Sequence, residues 1–248
     1  MEDEINDPYY DEDVERKNIS LWKAVEEGRE NDVRLLLRED CLEINGQDGN
    51  KCTLLSIAVS GGFTTIVDLL LEGGCTDFNV KDGQGYTPLT EAADKGHHAI
   101  VSLLLEKDDV ELNPRDIVDL TPLSVAAANG HETIVRLLLK QDDIELNPRS
   151  SNGETPLSLA LDWGHEAVAE LLLSQDNIDL GPDCPMSRGY ALLSKALDAE
   201  LQNIASKILQ TKINSNKSLA TVLGCREKQG GRDKASIEDH NYESKSAR

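Results

Sequence analysis

The stretch TPLSVAAANGHETIVRLLL, residues 121–139, decides the fold, because most of the chain repeats it. Its proline suits the first turn of a helix, where the missing N–H would have no partner. The glycine at position 130 ends that helix, and a second one follows with Ile134, Leu137 and Leu138 on one face. Two short antiparallel helices result. Because neither can bury its apolar face alone, the unit requires neighbours.

Five copies of this unit, numbered one to five in chain order, follow one another every 34 residues. The glycine between the two predicted helices recurs as Gly28, Gly62, Gly96, Gly130 and Gly164. An alanine four residues earlier recurs as Ala24, Ala58, Ala92, Ala126 and Ala160. A Leu-Leu-Leu triplet begins seven residues after each glycine. Three landmarks in one register across five units indicate a repeat array rather than chance.

These units resemble ankyrin repeats, whose period is about 33 residues and whose first helix opens with Thr-Pro-Leu-His. The resemblance extends from about Ile19 to Pro182, and its Thr-Pro-Leu-Ser and Glu-Leu-Asn-Pro-Arg segments are similar to ankyrin arrays of filamentous fungi. In place of the family histidine stand Trp22, Ser56, Thr90, Ser124 and Ser158. Hydroxyls must therefore take over its hydrogen bonds in every unit except the first. The resemblance implies an all-α solenoid of stacked helix-turn-helix units with projecting turns.

The pattern divides the chain into four segments. Residues 1–17 carry eight carboxylates, and we expect this acidic tail to be disordered because it has few apolar groups to bury. An alternative is that it is a docking motif or a mask over a basic surface. Five ankyrin repeats occupy residues 18–182, and a degenerate sixth repeat or C-terminal cap occupies 183–213, where the spacing lengthens to 36. Residues 214–248 form a polar tail that we also expect to be disordered.

Helix boundaries follow from the same pattern. For units two to five it predicts helices over 54–59, 64–72, 88–95, 98–107, 122–129, 132–140, 156–163 and 166–174. The connectors between units are rich in Gly, Pro and Asp, as in Asp82-Gly83-Gln84-Gly85. Such residues suit projecting turns, since Gly accepts positive φ and Asp hydrogen-bonds its own turn.

The chain is strongly acidic, with a formal net charge of −21. Residues 18–209 hold 33 acidic and 15 basic residues, so the repeat array itself carries about −18. Nucleic-acid phosphates are repelled by such a surface, and we therefore expect no direct binding to nucleic acid. A partner protein with a basic segment is favoured instead.

Cysteine usage and the chain start bear on the compartment. The five cysteines are odd in number and lack metal-type spacing, which is typical of reduced thiols in an intracellular protein. The start, Met1-Glu2-Asp3-Glu4, has neither the basic nor the apolar region of a signal peptide, and no apolar run of about 18 residues follows. Motifs for myristoylation and prenylation are missing as well. We expect a monomer that is cytoplasmic or nuclear and not bound to a membrane.

Candidate catalytic and metal-binding groups have simpler explanations. His97, His131 and His165 occupy the same position after the glycine in successive units, which indicates a structural role. The acidic pairs Asp108-Asp109 and Asp142-Asp143 lack the alternating ligands and central glycine of a calcium loop. The sequence therefore predicts no enzyme, no metal site and no cofactor.

Binding is the better prediction, because the resemblance implies a concave groove lined by the turn tips and the exposed sides of the first helices. The family's contact positions in units three to five correspond to Tyr86, Asp94, Lys95, Ile117, Val118, Leu120, Ala128, Asn129, Asn152, Glu154, Asp162 and Trp163. In units one to three they also include Glu26, Glu27, Asn50, Ser60 and Gln84.

Several of these positions, which are usually polar, are apolar here: Tyr86, Ile117, Val118, Leu120 and Trp163. An exposed apolar patch often marks a contact site, so unit four is the predicted centre of the binding surface. The alternative is that residues 117–120 fold back onto neighbouring turns and that Trp163 covers the next unit's helix.

Two hypotheses about function follow. The first is a non-catalytic interaction module or scaffold that binds a partner protein through the concave groove. The alternative is a regulatory accessory protein, such as a transcriptional co-regulator or an enzyme inhibitor, that acts through its acidic surfaces.

Overall fold

The computed structural model describes residues 12–39, 42–49, 51–75, 77–180, 196 and 201–210. These residues form eleven helices and a single isolated β-bridge, between Gln47 and Thr53. The helices are α1 Glu12–Glu26, α2 Glu30–Leu36, α3 Leu54–Ser60, α4 Thr64–Glu72, α5 Pro88–Lys95, α6 His98–Leu105, α7 Pro122–Ala128, α8 Glu132–Leu138, α9 Pro156–Asp162, α10 Glu166–Leu173 and α11 202–210. The predicted boundaries of α3 to α10 are confirmed to within two residues.

Each unit contributes one helix to each of two layers. The first helices α1, α3, α5, α7 and α9 contact one another in order, and the second helices α2, α4, α6, α8 and α10 do the same. A thin apolar core lies between the layers. The same leucine position is buried in all five units, as Leu21, Leu55, Leu89, Leu123 and Leu157. The all-α solenoid is thereby confirmed.

A threonine hydroxyl begins the first helix of units two to five. Thr53, Thr87, Thr121 and Thr155 each accept a hydrogen bond from the backbone N–H three residues on. In α3 and α9 the serine at that third position completes the cap, because its hydroxyl accepts from the threonine N–H at 2.8 and 2.9 Å. The expectation that hydroxyls replace the family histidine is confirmed at these positions.

A glycine with positive φ joins the two helices of each unit. The φ angles of Gly28, Gly62, Gly96, Gly130 and Gly164 lie between 67° and 77°, in the left-handed region. One hydrogen bond closes each turn, and it is found from Arg29 to Ala24, Phe63 to Ala58, His97 to Ala92, His131 to Ala126, His165 to Ala160 and Leu201 to Ala196. The last bond lies 36 residues beyond its predecessor, which is the spacing expected from the sequence.

Consecutive units are joined by a ring that lies over a glycine. A Cβ added at Gly28, Gly62, Gly96 or Gly130 would lie 2.5 to 2.8 Å from the ring of Phe63, His97, His131 or His165. Two of the histidines also bond the preceding unit, His131 Nε2 at 2.9 Å from the carbonyl oxygen of Asp94 and His165 Nε2 at 2.9 Å from that of Ala128. The repeated histidine is therefore part of the packing between units.

An asparagine ladder follows the loop after the second helices. The amides of Asn79, Asn113 and Asn147 donate to the carbonyl oxygens of Asp109, Asp143 and Asn177 at 2.8 to 2.9 Å. Their side-chain oxygens accept from the backbone N–H groups of Glu111, Glu145 and Asp179 at 2.7 to 2.8 Å. The loop after the second helix of each of these units is thus bonded to the same loop of the next unit.

The beginning of the array differs from the sequence prediction. Helix α1 begins at Glu12, so residues 12–17 are helical, although disorder was expected through residue 17. Acidic residues at the start of the helix suit its dipole, and Asp13 pairs with Arg16 at 3.4 Å. Lys17 also pairs with Glu39 at 2.8 Å, which ties this extension to the end of unit one.

The outer segments are described only in part. Residues 1–11 and the predicted tail 214–248 lie outside the described residues. Of the predicted cap at 183–213, Ala196 and residues 201–210 are described, and Ala196, Ile204, Ala205 and Ile208 are buried. Asn203 contacts Glu166 of α10 at 3.4 Å. Helix α11 therefore packs against unit five, while the four-segment division of the chain stays a prediction.

We predict that Gly130→Ala destabilises the protein more than Gly164→Ala does. Both substitutions place a side chain at φ +72°, which costs about 1 kcal/mol. At Gly130 the new Cβ would also lie 2.5 Å from His165, whereas no described atom lies within 4 Å of it at Gly164. We expect a further loss of about 1–3 kcal/mol at Gly130, measured by urea unfolding. Equal losses would contradict the ring-over-glycine contact.

Candidate functional site

The turns that project from the first helices are fixed by their own side chains. The Asp82 carboxylate accepts from the N–H groups of Gln84 and Tyr86 at 2.8 and 2.9 Å. In the next unit Asp116 accepts from Val118 and Leu120 at 2.9 and 2.8 Å. Because the carboxylate occupies the backbone donors, each tip holds one conformation.

Neighbouring turns are also bonded to one another. The N–H of Ile117 donates to the carbonyl of Gln84 at 3.2 Å, and the N–H of Ser151 donates to that of Val118 at 2.9 Å. At the base of the turns, Arg115 donates to the carbonyl of Arg149 at 3.1 Å. The turns of units three to five therefore form one continuous edge.

The turn of unit four and the end of α9 in unit five leave large apolar side chains in solvent. Ile117 is 74 % exposed, Val118 43 % and Trp163 69 %. Leu120 is half-buried. The backbone of Ile117 and Val118 thus joins the neighbouring turns, as the fold-back alternative expected, but their side chains stay outside. The segment that Trp163 was alternatively expected to cover lies outside the described residues.

Several of the residues predicted for the site make polar contacts within the array. Asn129 Nδ2 donates to the Asp94 carboxylate at 2.9 Å, which links units three and four. The carbonyl of Ala128 accepts from His165, and Glu154 accepts from the hydroxyl of Ser150 at 3.2 Å. Lys95 lies 3.5 Å from Glu91 on its own helix. Asn152 and Asp162 are exposed, as are Lys95 and Asn129.

A family model described as Ankyrin repeats (3 copies) matches residues 21–116 and 109–184. This chain is an ankyrin-repeat protein. A search of curated proteins finds no significant match. Ankyrin repeats are generally modules for protein–protein interaction and are typically non-catalytic. The exposed edge of this array is therefore a candidate protein-binding surface.

The ankyrin groove also contains a cleft that the sequence did not predict. It has a volume of about 370 Å³ and lies between units one, two and three. Its lining includes Ser60, Gly61, Phe63, Tyr86 and Glu91. Tyr86 is half-buried here, unlike the exposed side chains of Ile117 and Trp163 with which the sequence grouped it. The sequence signal for this cleft is the pair Ser60-Gly61, because the corresponding pairs in units three to five have a larger combined side-chain volume.

Carboxylates surround the ionisable groups of this cleft. Burial raises the pKa of Tyr86 above its ordinary value, and the nearby charges of Asp94 and Asp116 raise it further. Burial likewise raises the pKa of the Cys52 thiol, with a contribution from Asp48. Burial is the larger cause of both shifts, and the carboxylate charges add to it, so a further negative charge in the cleft is disfavoured.

Two further properties of the described residues concern metals and membranes. Among these residues, no three His, Cys, Asp or Glu side chains are grouped so that they could hold a metal ion. None of the described helices is long and apolar enough to cross a membrane. Cys52 and Cys75 are free thiols, and burial raises the pKa of Cys75.

We predict that Tyr86→Phe makes the protein less sensitive to alkaline pH. The fold raises the pKa of Tyr86 above 10.0, so the folded state holds its proton more tightly than the unfolded state does. The resulting stabilisation is complete below pH 10 and is lost as the pH rises through the folded-state pKa. Between pH 8 and about pH 11, the free energy of unfolding should therefore fall more in the original protein than in Tyr86→Phe. The free energy of unfolding is measured with urea at both pH values. An equal fall in the two proteins would contradict the raised pKa of Tyr86.

Proposed function

We propose that this ankyrin-repeat protein binds another protein through its concave surface, with unit four at the centre, and that it catalyses no reaction. One observation carries the proposal: Ile117, on the hydrogen-bonded edge, and Trp163, at the end of α9, are 74 % and 69 % exposed. Large apolar side chains in such positions supply most of the affinity of protein interfaces when a partner covers them.

The backbone of the proposed surface favours binding because it is already ordered. The Asp116 carboxylate accepts hydrogen bonds from its own turn, and the N–H of Ser151 donates to the carbonyl of Val118. These bonds hold the tips before a partner arrives. Little conformational entropy is then lost on association, so more of the contact energy appears as affinity. The proposed surface also includes the other predicted contact positions of units three to five: Tyr86, Asp94, Lys95, Val118, Leu120, Ala128, Asn129, Asn152, Glu154 and Asp162.

Charge supports a partner protein with a basic segment. The array carries 33 acidic and 15 basic residues between positions 18 and 209, which attracts cationic chains at encounter and repels nucleic acid. We further propose that the protein acts as a monomer in the cytoplasm or nucleus. The free thiols of Cys52 and Cys75 support such a reducing compartment.

The test is substitution of the two exposed anchors. Cross-linking with mass spectrometry in native cells identifies the partner, and the Kd of the purified pair is then measured for the double variant Ile117→Ala/Trp163→Ala. We expect binding to weaken by at least tenfold, because a buried aromatic anchor contributes ~2 kcal/mol or more. The Tm should be unchanged, since both side chains are exposed.

Leu35→Ala is the matched control. Leu35 is 59 % exposed, but it lies on α2 in the layer of second helices. Its loss should leave the Kd unchanged if the concave surface is the binding site. An unchanged Kd in a stable double variant would instead rule out unit four as the centre.

A second candidate is a regulatory accessory protein that acts through acidic surfaces, a role that the net charge of −21 favours. Deletion of residues 1–11 separates the two, because it removes an acidic segment and leaves helix α1 complete. Binding through the groove predicts almost no change in Kd. Masking by the tail predicts a large change that becomes smaller as the salt concentration rises.

A further inference from the structure

The cleft of units one to three arises where unit two has the smallest side chains. Its floor contains Ser60 and Gly61 at the end of α3. The corresponding pairs in units three, four and five are Asp94-Lys95, Ala128-Asn129 and Asp162-Trp163. Each of these pairs places more side-chain volume in the groove. Unit two thus leaves a hollow in a surface that is otherwise filled.

An aromatic ring explains why the hollow stays open. A Cβ at Gly61 would lie 2.3 Å from the ring of Phe63, although the φ of Gly61 is an ordinary −75°. The same ring lies 2.8 Å from the position of a Cβ at Gly28. Phe63 therefore fits between two glycines and presents a wall to the cleft. Tyr86 of unit three also lines the cleft.

Carboxylates from two units line the same cleft. Glu26 comes from unit one, and Asp82 and Glu91 come from unit three. The other lining residues are neutral at pH 7, and none of them is basic. Lys95 lies 3.5 Å from Glu91, with 40 % of the lysine and 18 % of the glutamate side chain exposed. Ion pairs that reach solvent in this way contribute little, so an incoming cation can compete with Lys95 for Glu91.

We propose that this cleft binds an arginine side chain in a basic segment of the partner protein. A guanidinium group can stack on an aromatic face and bond a carboxylate in the same pose, which suits walls of Phe63 and Tyr86 beside Glu26 and Glu91. Carboxylates contribute, after burial, to the raised pKa values of Tyr86 and Cys52, and the same charges attract a cation. This inference rests on the proposed function and adds a second contact, separate from Ile117 and Trp163.

Two variants of the full chain test the cleft. Ser60→Trp fills the hollow, and because Ser60 is exposed at the end of α3, the change should leave the fold intact. Glu26→Gln/Glu91→Gln keeps the shape and removes charge. Thr133→Trp, at an exposed position of α8 in the other layer, is the control for the added indole. Matching Tm values show that all variants are folded.

The probes are random dodecapeptides displayed on phage and selected against the full chain. Selected sequences are synthesised, and their Kd values are measured by fluorescence anisotropy. We expect an arginine in the selected peptides and a loss of about tenfold or more in affinity for Ser60→Trp, but not for Thr133→Trp. Replacing that arginine with citrulline, which is neutral, should weaken binding to the original protein and have little further effect on Glu26→Gln/Glu91→Gln.

Several results would overturn the inference. They are a selection that yields no binding peptide, peptides without arginine, and peptides whose affinity is unchanged by Ser60→Trp. A gain in affinity when Arg226, Lys228, Arg232 and Lys234 are replaced by Gln would assign the cleft to the chain's own basic segment instead. If the native partner binds Ser60→Trp normally but fails to bind Ile117→Ala/Trp163→Ala, the cleft inference is wrong while the proposed function stands.

Discussion

Each unit of this array is positioned on its predecessor by a ring that lies over a glycine. Phe63 over Gly28 and His165 over Gly130 show the same contact with different rings. Glycine is required at this position for two reasons: its φ is positive, and any side chain there would displace the ring. Where the ring is histidine, as at His131, it also bonds a carbonyl of the preceding unit. The spacing between units, and hence the shape of the groove, depends on this contact.

Polar contacts fix the loops after the second helices and the turn tips. The asparagine ladder satisfies backbone groups in the loops after the second helices, and Asp82 and Asp116 satisfy those of the turn tips. Side chains such as Ile117 and Trp163 take no part in these bonds. Positions such as 117 and 163 can therefore carry other residues while the stack beneath them stays the same. For this reason the fold alone does not identify the partner.

Much of the fold was predictable from the sequence, because helices α3 to α10 follow from a repeated pattern of threonine caps, glycines and leucines. Individual side-chain environments were less predictable. Tyr86 was grouped with Ile117 by its position in the repeat, yet it is half-buried against unit two, where Ser60 and Gly61 leave space. That outcome depends on packing between three units, which no single repeat encodes. The early start of α1 likewise depends on Lys17 reaching Glu39.

The asparagine ladder has a consequence for how such an array can change in evolution. Asn113 accepts and donates the same bonds toward unit four as Asn79 does toward unit three. These interfaces are interchangeable with respect to the ladder, and a tandem duplication of 34 residues would insert between existing copies with the donors and acceptors of the ladder already matched. The groove can thus be lengthened or shortened by whole repeats through recombination, and new tip residues can diversify after the insertion.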